Sequence, residues 1–463
     1  MADQAPPTSG IPEANSGSAG RRDGERTIPA SICLGCGCLC DDIDVVVAPD
    51  PAGHEQIAAA RRACELGEKW FAVGQQREPA AQACRIAGQP ATFDTAIERA
   101  AEILAAAQAP LIVGLAYSST ATIRSALALA EQLGASIDSM TGLRHAPAVL
   151  AAQAIGEVTC TWGEIAARSD LVVCWGGDPA TTHPRHFERY SLEPASRFLP
   201  GGRAERRFIV IDDQRTATAE LADDFIHLQS GSDFDALWVL RALIQGIEIE
   251  ADVAQRATEV PLPTWLALAE QMKQARYGAM LFGERLERLS LAHLTIEALL
   301  LLVRELNDHT RFVAHGFGSP GNAAGCDETF TWTTGYPFAV DFARGFPRYD
   351  PDDGRAARRL ARGEVDCVLT IGNDAIAALL SAAADHLRKL PLVVLDWRET
   401  ATRSAATVAF RTAQPGVAAG GTVYRSDGVP LALRPSLAST EPTELEVLAA
   451  LSRRVAELRK ASP

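Results

Sequence analysis

An internal duplication constrains the fold of this chain more than any other feature of its sequence. The segment DLVVCWGGD at 170–178 resembles DCVLTIGND at 366–374. Further along each half, FIVIDDQRTATA at 208–219 resembles LVVLDWRETATR at 392–403. Both pairs contain an apolar run that ends near an aspartate. This indicates that the same structural element occurs in each half of the chain.

A third pair of matching segments comes earlier in each half, at 109–135 and 277–307, and consists of a strand with a glycine near its end followed by a long helix. In both halves, short apolar runs alternate with helical stretches, which is typical of parallel sheets with crossover helices. We therefore predict two related α/β units, with strands near 110–114, 171–175, 208–212, 278–282, 367–371 and 392–396.

The ends of these strands carry the candidate binding residues. Ligands of parallel sheets bind beyond the carboxyl ends of the strands, where glycine-rich loops bring backbone amides close to phosphates. The predicted cofactor-binding residues are Gly176, Gly177, Asp178 and Asp212 in the first unit and Gly372, Asp374 and Asp396 in the second. At any single position a turn or capping role is the commoner one, but the duplication favours binding.

Four cysteines near the N-terminus form a candidate metal site: Cys33, Cys36, Cys40 and Cys64. Three closely spaced thiolates and a fourth from downstream suit a cubane cluster, which needs four sulfur ligands. Gly35 and Gly37 permit the tight turn, and Cys38 is expected to point away from the set. A zinc ion could use the same thiolates, although its sites more often have a second close pair. A third alternative is a remnant whose cysteines only pack.

Composition argues against nucleic-acid binding, a disulfide scaffold and a membrane-spanning helix. The 463 residues are 47% hydrophobic and 22% charged, as in globular proteins, and the net charge of -14 argues against nucleic-acid binding. The cysteine usage fits ligand binding in a reducing cytoplasm better than a disulfide scaffold. The most apolar helix, predicted at 291–306, is too short to span a bilayer and is interpreted as a core helix.

These patterns divide the chain into five parts. The expected parts are a disordered tail at 1–28, a cysteine-rich segment at 29–75, a first α/β unit at 76–275, a second at 276–405 with an irregular functional loop at 315–354, and a C-terminal segment at 406–463. The last part should end in a helix over 443–460. A capping box of Thr443 and Glu446 would begin this helix, and its apolar stripe would be Leu445, Leu448, Val455 and Leu458.

Long segments of the chain resemble a known family. VVCWGGDPATTHPRHFERYS, TWTTGYPFAVDFARGFPRYDP and GGTVYRSDGVPLALRP are similar to the B subunit of formylmethanofuran dehydrogenase, in the molybdopterin oxidoreductase superfamily. The resemblance implies two pseudo-symmetric Rossmann-like units, the small cysteine-rich segment and no fourth β-barrel domain. It also implies a [4Fe-4S] cluster on the four cysteines, and, in the family, two pterin guanine dinucleotides that hold tungsten or molybdenum.

The chain departs from the family pattern at two points. The metal-ligating cysteine of the family is expected in the window 116–126, which contains Ser118, Ser119 and Thr120 and no cysteine. The family also places an arginine near the start of the central loop, where the aligned position is Ala314 or His315 and only Arg311 lies upstream. Without these two groups the chain lacks the means for two-electron chemistry.

Two pairs of polar residues that could be metal ligands or catalytic groups are interpreted as structural. His183 and His186 are interpreted as hydrogen-bonding core residues, since no further ligand set accompanies them. Asp41 and Asp42 are expected to end the cysteine turn or to accept backbone amides.

The resemblance and the departures together predict a non-redox subunit. It would serve, in the cytoplasm, a formyltransferase/hydrolase complex like that of aerobic methylotrophic bacteria, with no pterin bound and no catalytic residue assigned. Expected partners are an amidohydrolase-like A subunit, a C subunit, a formyltransferase subunit, and indirectly a methanofuran-type carrier. The alternative is an active tungsten or molybdenum dehydrogenase subunit, which the intact cysteines favour. A free-standing nucleotide-binding protein is a third hypothesis.

Overall fold

A computed structural model of the chain describes residues 24–73 and 83–461. Most of the expected N-terminal tail, residues 1–23, lies outside these described residues. Arg26–Ser31 already form a strand, so the disordered tail predicted over 1–28 extends too far.

Strands and helices are numbered separately in chain order. The strands are β1 Arg26–Ser31, β2 Ile43–Pro49, β3 Glu55–Arg61, β4 Cys84–Ile86, β5 Gln89–Pro90, β6 Pro110–Gly114, β7 Ser136–Asp138, β8 Leu171–Trp175, β9 Arg207–Asp212, β10 Asp224–His227, β11 Gly278–Phe282, β12 Phe312–Gly316, β13 Val340–Asp341, β14 Arg348–Tyr349, β15 Cys367–Ile371, β16 Leu392–Asp396, β17 Val408–Arg411, β18 Gly421–Tyr424 and β19 Pro430–Leu433. The helices are α1 Glu65–Val73, α2 Phe93–Ala106, α3 Thr120–Leu133, α4 Gly142–Ile155, α5 Trp162–Arg168, α6 Pro179–Thr182, α7 Asp233–Ile244, α8 Ala251–Thr258, α9 Leu262–Gln274, α10 Glu284–Glu287, α11 Ala292–Leu306, α12 Ala323–Thr334, α13 Ala356–Ala361, α14 Ala375–Ala378, α15 Ser381–Leu387, α16 Ala401–Ser404 and α17 Glu444–Ala461.

The first large sheet is parallel throughout. Its strand order is β10-β9-β8-β11-β12, and every neighbouring pair runs in the same direction. The central strand β8 and its neighbour β11 are buried along their whole length, as expected where both faces of a parallel sheet are covered. Side chains of α7, α9 and α11 form one apolar cluster with these strands.

The second large sheet is parallel at its centre and antiparallel at its edges. Its order is β14-β13-β7-β6-β15-β16-β17-β4-β5. The five strands from β7 to β17 pair in parallel, whereas the outer strands pair in the antiparallel sense. This gives the mixed α/β fold that the sequence predicts.

All six predicted strands are confirmed, as β6, β8, β9, β11, β15 and β16, and β9 alone differs, by one residue at its start. The parallel strands follow the order β10-β9-β8-β11-β12 in the first sheet and β17-β16-β15-β6-β7 in the second. Each duplicated pair of segments therefore occupies the same place in its sheet. The duplication in the sequence corresponds to a repeated strand order.

The sheets do not follow the expected division of the chain at residue 276. Strand β6, from the first half, pairs with β15, and β11, from the second half, pairs with β8. The chain crosses from the second sheet to the first after β7 and returns after β12. Hydrophobic periodicity identifies strands but not their pairing partners, so this exchange is invisible in the sequence.

The segment 315–354 is more regular than expected. It contains the end of β12, the helix α12 and the short strands β13 and β14. Cys326 and Phe330 of α12 are fully buried in an apolar cluster with α3. The Gly, Thr and aromatic residues of this segment have low helix propensity, so tertiary packing determines the helix and the irregular loop predicted here is wrong.

The C-terminal helix is confirmed and packs on the chain's own body. Thr443 and Glu446 form the predicted capping box, with the Glu446 amide donating to Thr443 Oγ1 at 3.2 Å and the Thr443 amide donating to Glu446 Oε2 at 2.7 Å. The buried face differs in part, because Leu445 is 39% exposed and the fully buried side chains are Val447, Leu448, Leu451 and Val455.

The apolar helix predicted at 291–306 corresponds to α11, which is buried along one face as a core helix. Within residues 24–73 and 83–461, no helix combines the length and the apolar character needed to cross a membrane.

Candidate functional site

The cysteine-rich loop lies between β1 and β2, and Cys64 immediately precedes α1. The thiols of Cys33, Cys36, Cys38 and Cys40 are buried. Cys33 lies close enough to Cys36, Cys40 and Cys64 for their charges to raise its pKa, although burial is the larger cause. The expectation that Cys38 points away is wrong, because its thiol is fully buried and lies close enough to Cys36 and Cys40 for both to raise its pKa, although burial is the larger cause.

Two glycines allow the cysteine loop to approach the first turn of α1. A Cβ on Gly35 would lie 2.8 Å from the carbonyl oxygen of Leu66, and one on Gly67 would lie 3.3 Å from Cys33 Sγ. The Gly35 amide also donates to Cys33 Sγ at 3.3 Å. Close backbone contact thus brings the segment that carries Cys64 beside the first cysteine.

Two arginines border the cysteine loop. Arg185 forms a two-pronged ion pair with Asp42, with both N–O distances at 2.8 Å, and Arg189 pairs with Asp41 and Asp42. The hydrogen bond from Cys38 and the charges of these arginines lower the pKa of Cys40 to about 7, against the effect of burial. The sequence predicts that the aspartates end the cysteine turn or accept backbone amides, but their main partners in the structure are guanidinium groups.

The donor set suits an iron–sulfur cluster. Buried thiols in one loop, a half-buried thiol from a second segment and an amide donating to a sulfur are features of cluster sites, and the lowered pKa of Cys40 favours the thiolate that binds metal. Across residues 24–73 and 83–461, no three His, Cys, Asp or Glu side chains converge tightly enough to hold a metal ion. A cubane separates its four ligands over a larger body than a single ion does.

Replacing Gly35 by alanine should impair assembly of the cysteine site. The added Cβ would meet backbone at 2.8 Å, so the loop must move away from Leu66 and from Cys64. We expect iron content after anaerobic reconstitution to fall severalfold relative to the wild type, measured by iron assay and visible absorption. The control is Gly163→Ala, whose Cβ would make only an ordinary 3.7 Å contact. Equal iron content in both variants would contradict this role of Gly35.

A cavity of about 600 Å³ opens beyond the carboxyl ends of β8, β9 and β11. The four predicted binding residues of the first unit line it, namely Gly176, Gly177, Asp178 and Asp212, together with Cys36 of the cysteine loop. Three arginines that the sequence analysis did not single out, Arg144, Arg285 and Arg288, also line the wall. The cysteine loop and the strand ends therefore share one space.

Asp178 and Asp374 make the same hydrogen bonds in the two sheets. Asp178 Oδ1 accepts from the amide of Thr218 at 2.8 Å and from its Oγ1 at 2.7 Å. Asp374 Oδ1 accepts from the amide of Thr402 at 3.1 Å and from its Oγ1 at 2.6 Å. These bonds explain why an aspartate and a Thr-x-Thr motif recur together, and they give both aspartates a structural role.

Several of the chain's own side chains pack at the strand ends of the second sheet. Asp396 is fully buried and binds Arg398 through both carboxylate oxygens at 3.0 Å. Arg398 lies over the rings of Trp397 and Tyr117. A Cβ on Gly372 would meet the Trp397 ring at 3.0 Å. Gly372, Asp374 and Asp396, the predicted binding residues of this unit, do not line the cavity at the first sheet.

The buried carboxyl group of Glu444 makes the stability of the protein depend on pH. Burial raises its pKa from 4.5 to about 7, while the hydroxyl of Ser118, which donates at 2.6 Å, lowers it. A carboxyl with a raised pKa binds more protons in the folded state, so stability falls as pH rises from about 4.5 to about 7.

Replacing Glu444 by glutamine should remove this loss of stability at higher pH. We expect the variant to be more stable than the wild type at pH 8 by on the order of 1 kcal/mol, and to lose less stability between pH 5 and pH 8 in urea unfolding. The control is Glu457→Gln on the same helix, where the side chain is 64% exposed. If the free energy of unfolding changed with pH in the same way in the wild type and in the Glu444→Gln variant, the expectation would be contradicted.

The window 116–126 does not face the cavity. Ser118 donates to Glu444, Ser119 caps α3, and Thr120 Oγ1 donates to the carbonyl of Thr422 at 3.1 Å. None of the three lines the cavity, and Cys36 is the only cysteine among the described residues that do.

The central-loop positions also hold no arginine. Ala314 and His315 are buried on β12, and Arg311 is exposed. The positive charge of the cavity comes instead from Arg144, Arg285 and Arg288, none of which belongs to a recognisable motif.

The two histidines of the THPRH string belong to the core. His183 Nε2 hydrogen-bonds with the carbonyl of Gly318 at 3.1 Å, and burial lowers the pKa of this ring to about 4. His186 is fully buried among Trp162, Tyr190 and Phe317, and neither ring nitrogen has a hydrogen-bond partner among the described residues. The hydrogen-bonding role predicted for the pair therefore holds for His183 and is wrong for His186.

The chain is similar to several characterised proteins, although no protein-family model matches it. It is 34% identical over 434 residues to the B subunit of tungsten-containing formylmethanofuran dehydrogenase 2 of Methanocaldococcus jannaschii, covering 92% of this chain and 98% of that protein. It is 27% identical over 376 residues to the B subunit of the formyltransferase/hydrolase complex of Methylorubrum extorquens, covering 80% and 96%. The crystal structure of that complex with methylofuran contains a chain that superposes with a TM-score of 0.69 at 25% identity, covering 82% of this chain and all of that one.

Proposed function

The chain belongs to the family of formylmethanofuran dehydrogenase B subunits, and we propose that it is the B subunit of a complex that handles formyl groups in one-carbon metabolism. Its proposed partners are an amidohydrolase-like A subunit, a C subunit and a formyltransferase subunit, with a methanofuran-type carrier reaching the complex. Support comes from the relatives, whose names and crystal structure describe multi-subunit assemblies. A cytoplasmic location is part of the same proposal.

Within this complex we propose a non-redox role for the chain. The observation that carries it is the cavity wall, which contains three arginines and, among the described residues, no cysteine outside the cysteine-rich loop. A tungsten or molybdenum centre of the family type needs a further ligand from the protein beside its pterins. The hydroxyls of Ser118, Ser119 and Thr120 bond with protein atoms instead of lining this wall.

The cysteines are proposed to hold a [4Fe-4S] cluster through Cys33, Cys36, Cys40 and Cys64. When bound, such a cluster supplies one-electron transfer or a structural crosslink. Gly35 donates its amide to Cys33 Sγ, and Arg185 and Arg189 place positive charge beside Cys40, which would help to balance the negative charge of four thiolates.

The two sheets are proposed to descend from one duplicated unit, and the first sheet is proposed to keep a binding site at its strand ends. The shared strand order and the matching aspartate–threonine bonds support the duplication. Gly176, Gly177 and Asp212 would hold the phosphates and ribose of a nucleotide at the first sheet. Arg398 packs over Trp397 and Tyr117 at the second sheet, and we propose that no second pterin dinucleotide binds there.

An active dehydrogenase subunit is the second candidate. It is favoured by the higher identity to the tungsten-containing relative, 34% against 27% for the relative from the formyltransferase/hydrolase complex, and by the intact cysteine set. The two candidates differ in whether electrons pass to an acceptor dye.

Assays of the complex purified with its partner subunits test the proposal. We expect formyl transfer that requires all subunits, and no tungsten- or molybdenum-dependent reduction of a viologen dye with a formylated methanofuran-type carrier. Thr120→Cys should create no dye reduction, because Thr120 does not line the cavity. Dye reduction by the wild-type complex would overturn the non-redox role, and failure to co-purify with any partner would overturn the role as a complex subunit.

A further inference from the structure

Three side chains from separate parts of the chain form a linear hydrogen-bonded array. His145 Nδ1 lies 2.8 Å from Glu287 Oε1, and His145 Nε2 hydrogen-bonds with the hydroxyl of Ser319. The side chains of Glu287 and His145 are only 6% and 17% exposed. A serine hydroxyl, an imidazole and a carboxylate in this order form the arrangement that activates a nucleophile in acyl transfer.

The array lies on the wall between two cavities. His145 and Ser319 line the cavity at the strand ends and also a second cavity of about 600 Å³, which Glu287 lines as well. His145 lies in the first turn of α4, Glu287 ends α10, and Ser319 follows β12. The hydroxyl of Ser319 is therefore accessible from the cavities while its two partners are largely buried.

The loop that carries Ser319 is held firmly. The carbonyl of Gly318 hydrogen-bonds with His183 Nε2, and the amide of Gly321 donates to the carbonyl of Leu34 at 3.1 Å. Among the hydrogen bonds of residues 24–73 and 83–461, the amides of Gly318 and Ser319 donate to no protein acceptor. Consecutive free amides beside a nucleophile are the usual donors to the oxyanion of an acyl-transfer intermediate.

The charges around His145 suit a general base. Burial lowers its pKa, but the hydrogen bond and charge of Glu287 outweigh this, and the net direction is upward. Asp327 adds to the upward shift and Arg144 opposes it. With Nδ1–H donated to Glu287, the lone pair of Nε2 faces the Ser319 hydroxyl and can take its proton.

We propose that Ser319 is a nucleophile, that His145 is its general base, and that the carboxylate of Glu287 positions His145. With these three residues the chain hydrolyses or transfers a small acyl group bound in an ester, thioester or activated amide. Ser319 Oγ bonds to the acyl carbon while its proton passes to His145 Nε2. That proton then leaves with the departing group as its bond to the acyl carbon breaks. Water, deprotonated by His145, cleaves the acyl-serine and returns the hydroxyl, so the net reaction is hydrolysis to a carboxylic acid and the leaving group.

The acyl group that suits this site best is a formyl group. This assignment alone depends on the proposed function, whereas the hydrolytic chemistry depends only on the geometry of the three side chains. A test with generic probes therefore separates the two, because it needs neither partner subunits nor the carrier.

The first test is covalent labelling of the full-length chain with a fluorophosphonate probe. We expect mass spectrometry to find the label on Ser319, and labelling to disappear in Ser319→Ala and in His145→Ala. The control is Ser290→Ala, which removes an exposed serine close to Glu287 in sequence and should label like the wild type. No label on the wild type, or label that persists in Ser319→Ala, would overturn the proposal.

The second test is hydrolysis of p-nitrophenyl acetate across pH. Ser319→Ala and His145→Ala should lower the rate by about 100-fold or more, to the background level. Glu287→Gln should lower it by about 10-fold or more and move the acidic limb of the pH profile to lower pH, because the His145 pKa falls without the carboxylate. Glu287→Asp should restore part of the rate. A Glu287→Gln profile that keeps its wild-type limb, with folding verified by circular dichroism, would overturn the role of Glu287.

Discussion

Replacing Gly283 by alanine is expected to destabilise the protein by about 3 kcal/mol, the upper end of the usual cost of overpacking. An added Cβ would lie 2.3 Å from Gly177 Cα and 2.6 Å from the carbonyl oxygen of Gly176. Both contacts are with backbone at the end of the neighbouring strand β8, so no side-chain rotation relieves them. Urea unfolding of the purified variant measures the loss.

The matching glycine of the second sheet should behave in the same way. A Cβ on Gly114 would lie 2.2 Å from the carbonyl oxygen of Ile371, and its φ of +109° adds backbone strain for any other residue. Gly163→Ala, with only an ordinary contact, serves as the control and should unfold near the wild-type midpoint. A Gly283→Ala midpoint equal to that of the control would show that the two strand ends are not in close contact.

Arg285→Met should cost about 3–5 kcal/mol because it leaves a buried carboxylate without its cation. Asp233 is 0% exposed and binds Arg285 through both oxygens, at 2.6 and 2.9 Å, while also accepting from Trp175 Nε1 at 2.8 Å. Asp212 lies 3.2 Å from the same guanidinium group. Since Arg285 also lines the cavity, its loss changes the charge of the candidate binding site.

Arg288→Met is the matched control for this prediction. Arg288 lines the same cavity but its side chain is 72% exposed and pairs with Glu284 of the same turn, so its loss should cost less than about 1 kcal/mol. The double variant Arg285→Met, Asp233→Asn should recover part of the lost stability, because no buried charge at position 233 remains while Trp175 keeps an acceptor. Equal losses for Arg285→Met and Arg288→Met would contradict the burial argument.

The duplicated segments explain how much of the fold was predictable. Their apolar runs give all six strands, and the glycine near the end of β6 recurs after β11 because each meets the backbone of the next strand. Pairing was not predictable, since β6 and β11 exchange sheets without any change in local pattern. The helix α12 was missed for a related reason, because buried Cys326 and Phe330 stabilise it against low intrinsic propensity.

The candidate site was predictable only where its residues are close in sequence. The cysteines form a motif, and the first unit's glycines and aspartates lie at strand ends that hydrophobic patterns reveal. The array of Ser319, His145 and Glu287 has no such signal, because each residue stands alone in the sequence and only the fold brings them within hydrogen-bonding distance. The glycine-rich HGFGSPGN string was the one hint, since such loops often carry functional residues.

Metal analysis of the chain purified with its partner subunits tests the central claim most directly. Among the described residues, the wall of the strand-end cavity contains arginines and no cysteine outside the cysteine-rich loop, so the protein should bind iron through that loop and neither tungsten nor molybdenum. We predict iron in about fourfold excess over the chain, with both heavier metals near background after growth with tungstate and molybdate. Tungsten or molybdenum in amounts close to one atom per chain would contradict the non-redox role and identify the chain as a dehydrogenase subunit.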